Sequence, residues 1–137
     1  MVNIQDIDTE INIYPIEKIE NEDMQDTAYD AWLKMYIELT AKGIKFNAEW
    51  GCYISDLKEL HKKLTEIKNN DFPTRYLFSP NENMVSLNFE KNGSETYCVE
   101  YTLHTDIRSD TYVRGISYID IPTMESLIIG VKNLIDY

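Results

Sequence analysis

The sequence is poor in the residues that build covalent or metal-held frameworks. Its 137 residues include two cysteines, Cys52 and Cys98, and two histidines, His61 and His104. No CxxC, HxH or HExxH spacing occurs, so a zinc site is not expected. A small secreted domain stapled by disulfides would carry more cysteines at closer spacing. Both thiols are therefore expected to be reduced and packed as small apolar groups. The glycines Gly43, Gly51, Gly93, Gly115 and Gly130 are all isolated, which removes a Gly-rich phosphate cradle. No apolar run approaches the roughly 20 residues of a spanning helix. Basic residues are scarce as well: 13 Lys and Arg stand against 24 Asp and Glu, a net charge of −11. Direct nucleic-acid binding needs cations to displace counterions and is disfavoured. Anionic membrane surfaces are disfavoured for the same reason. No cofactor is expected.

What is present is enough for one globular unit. The hydrophobic share is 43%, and a chain of this length suits a single domain over residues 1–137. The first ten residues, Met1 to Glu10, lack the basic and apolar stretches of a signal peptide, so a cytoplasmic, bacterial protein is expected. The charge is lopsided. Residues 1–30 hold nine acids and one base, Lys18, a balance of −8. The densest part, residues 20–30, has no hydrophobic period and reads as an acidic loop. It contains Glu20, Glu22, Asp23, Asp26 and Asp30. Such a loop either keeps the protein soluble or docks on a basic partner.

Hydrophobic spacing gives the elements. Ile11, Ile13 and Ile16 belong to an extended stretch broken by Pro15, which implies an edge or bulged strand. Residues 32–41 alternate, with Leu33, Met35, Ile37 and Leu39 inward and Lys34, Tyr36 and Glu38 outward. After Lys42-Gly43 the alternation resumes at Ile44, Phe46, Ala48, Trp50 and Cys52, completing a hairpin. From Asp56 the spacing becomes three and four, through Leu57, Leu60, Leu64 and Ile67, so a helix is predicted over 56–68 with Ser55 or Asp56 as its cap. Strands follow at 75–78, 84–90 and 97–104. Asn92-Gly93 suits a type I′ turn between the last two. A final strand over 112–121 is stopped by Pro122, and Thr123 caps a helix over 123–135. No internal repeat is evident. The expected class is α+β: one twisted antiparallel sheet of about six or seven strands, with two helices on it.

Chemistry is sparse. His104 and Asp106 stand two apart near a strand end, so a histidine oriented by a carboxylate is geometrically feasible. No Ser or Cys sits in a recognisable nucleophile turn. Aromatics are the richer feature, with ten Tyr, four Phe and two Trp. Trp32 and Tyr36 share the outward face of one strand, and Tyr53 points the same way from the next. Exposed rings beside acids suit a protein-binding surface. The alternative is that these rings pack across strands.

The motif order carries a resemblance. It runs through Tyr29-Asp-Ala-Trp-Leu-Lys-Met-Tyr-Ile-Glu-Leu39, Phe46-Asn-Ala-Glu-Trp-Gly-Cys-Tyr-Ile54 and Asp56-Leu-Lys-Glu-Leu60. Phe78-Ser-Pro-Asn-Glu82, Val85-Ser-Leu-Asn-Phe89 and a closing strand and helix follow. Together these resemble the WapI family of bacterial immunity proteins, from about residue 10 to the C-terminus. The resemblance implies a non-enzymatic antitoxin that binds the C-terminal toxin domain, often a nuclease, of a polymorphic secreted toxin. It implies no catalytic residues. An RNA-cutting toxin needs a basic cleft, which an acidic inhibitor can approach under electrostatic steering. Glu20, Glu22, Asp23, Asp26 and Asp30 are then the expected steering acids, and Trp32, Tyr36 and Tyr53 the expected anchors. Two other readings stand beside it: a scaffolding domain unrelated to toxins, and a small enzyme using His104 and Asp106. Long alternating strands can also pair edge to edge, which leaves a homodimer open.

Overall fold

The computed structural model describes residues 1–20, 30–70, 74–80, 84–106 and 110–137. The chain is α+β, with eight strands and two helices among the described residues. The strands do not form one sheet. β1 (Val2–Gln5), β2 (Thr9–Ile19), β3 (Trp32–Ala41) and β4 (Ile44–Tyr53) make one antiparallel sheet in that order, sheet A. After helix α1 (Ile54–Lys68), β5 (Arg75–Phe78), β6 (Val85–Lys91), β7 (Thr96–His104) and β8 (Tyr112–Asp120) make a second, sheet B. Helix α2 (Ile121–Ile135) ends the chain. The expectation of a single sheet fails because α1 leaves β4 with no connecting residue. It carries the chain across the core, and β5 starts a new ladder.

The order is therefore four strands and a helix, twice. Each meander is antiparallel throughout, and each helix follows its last strand directly. Both helices are 15 residues long. The sequence carries no trace of this repetition, because fold-level pairing constrains only which positions are apolar. β1 was also unexpected: Val2 and Ile4 alternate with Asn3 and Gln5, too short a period to stand out.

One apolar cluster unites the parts. Ile13 and Trp50 from sheet A, Leu87 and Phe89 from sheet B, and Leu60 and Leu127 from the helices are all buried in it. Trp50 meets Phe78 edge-on, ring centres 6.2 Å apart, which joins β4 to β5. β1 lies against α2, where Gly130 faces it. A Cβ at Gly130 would stand 2.7 Å from the Met1 carbonyl and 3.2 Å from Val2 Cα. The glycine inside the helical stripe is thus a close-approach site.

Several local expectations shift. Pro15 lies in an interior strand, yet β1 pairs only as far as Ile13. The missing amide therefore costs β1 no bond, and a bulge between Pro15 and Glu17 resets the register with β3. Ile44 follows the turn directly and is exposed. α1 begins at Ile54, before the expected cap; Asp56 reaches back to accept from the Tyr53 amide at 3.1 Å. α2 begins at Ile121, with Pro122 in its first turn and Asp120 as the cap, accepting from the Thr123 amide at 2.9 Å. Proline there lacks only an amide that has no helical partner anyway. The β6–β7 turn has positive φ at Gly93 alone. A type I′ turn needs it at both central residues, so the two strands are joined instead by residues 92–95. Among the described residues no helix is long and apolar enough to cross a membrane.

Candidate functional site

The bulge in β2 and the β3–β4 hairpin place a set of aromatic rings on the outer face of sheet A. Register aligns Ile19, Trp32 and Tyr53 in one row across three strands. Tyr14, Tyr36 and Glu49 form another row on the same face, and Glu17, Lys34 and Gly51 lie between them. All three expected anchors, Trp32, Tyr36 and Tyr53, are therefore on one surface, each partly exposed. Trp32 and Tyr53 meet edge to face, with centroids 5.0 Å apart and planes at 86°. Gly51 makes room for this pair. A Cβ there would lie 2.7 Å from Cε2 of the Trp32 indole. The rings thus pack across strands and still present an open side, so the two alternatives read from the sequence are not exclusive.

Carboxylates border the rings. Glu17, Glu38 and Glu49 share the face with Lys34, which pairs with Glu49 at 3.3 Å. Toward the ends of the helices lies an open recess of about 460 Å³, lined by Lys18, Glu20, Asp30, Lys58, Lys132 and Asp136 among others. Asp30 holds more than a surface charge: its carboxylate accepts from the Ser55 amide at 3.1 Å, in the first turn of α1. Lys18 donates to the Ile135 and Tyr137 carbonyls at the end of α2, at 3.2 and 3.3 Å. The negative pole of one helix and the positive pole of the other are thus each met by an opposite charge. Of the expected steering acids, Glu20 and Asp30 lie here; Glu22, Asp23 and Asp26 fall outside the described residues.

The other candidates lie elsewhere. His104 is on the outer side of β7, its ring tilted against Tyr112 at 5.2 Å, and Asp106 follows the strand end. Cys52 is buried. Burial, with the Asp56 and Asp30 carboxylates nearby, pushes its thiol far above the ordinary range. Cys98 is not packed inside as expected. It is half-buried on the outer face of sheet B, its thiol also raised by burial and by Glu90 and Glu100. Neither position favours a thiolate. Among the described residues no three His, Cys, Asp or Glu side chains are grouped to hold a metal.

Two features escaped the sequence reading. Asp6 fastens the sheets together. One carboxylate oxygen accepts from the Asp8 and Thr9 amides, each at 2.9 Å. The other accepts from the Ser117 hydroxyl at 3.0 Å and the Tyr118 amide at 3.1 Å. Burial alone would raise this carboxyl, but the four donors outweigh it and hold it below its ordinary value. The second feature is the outer side of β8, where Tyr112, Ile116 and Tyr118 are 54, 47 and 55% exposed. β8 carries apolar residues on both faces, so its alternation gave no inward side. The chain matches no family model and no curated protein sequence.

Proposed function

We propose that this protein is an antitoxin of the immunity type, acting by occlusion: it binds and covers a basic toxin domain, a nuclease in the reading the WapI resemblance favours. The observation that supports this most is the grouping of Trp32, Tyr53 and Tyr36 on one open sheet face of a strongly acidic chain. Rigid rings with few rotatable bonds lose little entropy on contact, and they recur as binding hot spots. The surrounding carboxylates suit a cationic partner, and the charge of residues 20–30 suits steering. The work is done in the cytoplasm of the cell that must survive its own toxin.

Co-expression with the toxin domain encoded beside it tests this. Cells carrying both should survive, and the two proteins should co-purify as a complex. Survival lost with Trp32→Ala and Tyr53→Ala, in variants that remain folded, would assign the anchor. A gene neighbourhood free of toxins, or a toxin unaffected by this protein, would sink the proposal.

A further inference from the structure

β8 is the last strand of sheet B and, among the described residues, is hydrogen-bonded in a ladder only to β7. The direction of its free groups follows from two bonds. The Tyr118 amide donates away from β7, to Asp6. The His104 amide donates toward β6, to the Met84 carbonyl. Backbone groups alternate sides along a strand, so the amides and carbonyls of Tyr112, Arg114 and Ile116 also point away from β7. The β1–β2 turn meets this edge at Ser117 and Tyr118. There the Asp6 carboxylate takes the place that a neighbouring strand's carbonyl would fill. Tyr112 to Ile116 lie ahead of that contact.

This edge lacks the devices that keep edges unpaired. It carries no lysine, no proline and no bulge, which are the usual blocks to strand addition. Its one cation, Arg114, is drawn sideways to Glu100 of β7 at 2.5 Å. Counted back from the helix that follows, the equivalent strand of the first half, β4, has Lys45, Glu49 and Gly51 where β8 has Tyr112, Ile116 and Tyr118. The fold thus tolerates a polar outer side at this position, and the apolar stripe on β8 is not a requirement of the architecture. Carboxylates mark both ends of the strand, Asp110 two residues before it and Asp120 as its last residue, about 33 Å apart in an extended chain.

We propose that the edge of β8 from Tyr112 to Ile116 receives an extended segment of a partner protein as an added strand, the segment having β-branched residues in its middle and Lys or Arg at its ends. The acids at the two ends of β8 favour that cationic segment and disfavour a second copy of this chain, which would bring −11 against −11. The inference deepens the antitoxin reading and rests on its basic protein partner; backbone pairing would supply affinity, and the exposed rings selectivity.

The test uses a synthetic nine-residue peptide, Lys-Lys-Val-Thr-Val-Thr-Val-Lys-Lys, and the same peptide N-methylated at alternate residues. Charge and side chains are identical, but the second cannot complete a ladder. Amide exchange and chemical shifts are read on the full chain by NMR. The unmethylated peptide should protect the Arg114 and Ile116 amides. The methylated one should bind about ten-fold more weakly or worse, as expected for two or three lost backbone bonds. Ile116→Pro should abolish the protection, and Asp110→Lys, on an exposed residue, should weaken binding without touching the ladder. Equal binding of both peptides, or shifts that map away from β8, would overturn the proposal. Because no toxin is used, its failure is separate from failure of the antitoxin reading, which shows in cell survival.

Discussion

The Trp32 indole lies over the Cα of Gly51, in the space that any larger residue at 51 would need. The glycine belongs to the neighbouring strand, opposite Lys34 in register, so the ring crosses diagonally to reach it. A sheet that keeps a side-chain-free position beneath its outermost tryptophan fixes the direction in which that ring faces. Gly51→Ala should therefore turn Trp32 outward. The expected signs are a red-shifted tryptophan emission and loss of the edge-to-face contact with Tyr53. The stability cost should be about 1 kcal/mol, at the low end for overpacking because the ring is half-exposed and can move. If the ring is an anchor, partner affinity falls by more than stability does.

Asp6 makes the joint between the sheets sensitive to acid. Its folded carboxyl is held below the ordinary value, because the hydrogen-bond donors outweigh its burial. The sign follows from linkage: the stabilisation is complete above the ordinary carboxylate value near pH 4 and is lost as pH falls through the lower folded value. Urea denaturation should place Asp6→Asn about 1.5–3 kcal/mol below the parent at pH 7, as for hydrogen bonds to a charged acceptor. The gap should close as pH falls below that lowered folded value. A gap that persists in acid would mean the Asn side chain perturbs something other than the charge.

Trp50 supplies a test in the opposite direction. Its indole nitrogen is buried with no hydrogen-bond partner among the described residues, a condition that costs about 1–3 kcal/mol. Trp50→Phe removes the unmet donor and can keep an edge-on contact with Phe78. The relief and the lost volume then nearly offset, leaving a net change within about 1.5 kcal/mol by urea or thermal denaturation. Trp50→Ala removes the ring as well and should cost about 3–5 kcal/mol.

Charge reversal at Glu22 and Asp23 together tests steering in the acidic stretch. Under the proposed antitoxin role, association with a basic toxin domain should slow about ten-fold at low salt. At 1 M salt, where the screening length is about 3 Å, the rates should converge. Stopped-flow fluorescence reads both. Equal rates at low salt would take these two acids out of the encounter.

The alternating strands were legible because burial imposes a period of two on sequence: β3, β6 and β7 follow the expected phase. The helices were legible from their stripes, though not to the residue, since the caps at Tyr53 and Asp120 depend on where the chain bends. The division into two sheets was not legible. It depends on where α1 sends the chain, and no local pattern encodes that. The shared outer face of Trp32, Tyr36 and Tyr53 was legible from parity along their strands. The joint made by Asp6 was missed because Ser117 and Tyr118 are more than a hundred residues away, and one more aspartate in an acidic region carries no mark.

The twofold recurrence of four strands and a helix has a further consequence. Neither half is covered by its own parts alone: α2 presses on β1 of the other half, with Gly130 against Val2, and Trp50 closes on Phe78 across the divide. Severed within the connection that follows α1, the chain would give two fragments that each expose what the other should shield. Made separately they should clump; made together they should reassemble. The molecule is a pair of mutual lids, so the two halves should unfold together rather than one after the other.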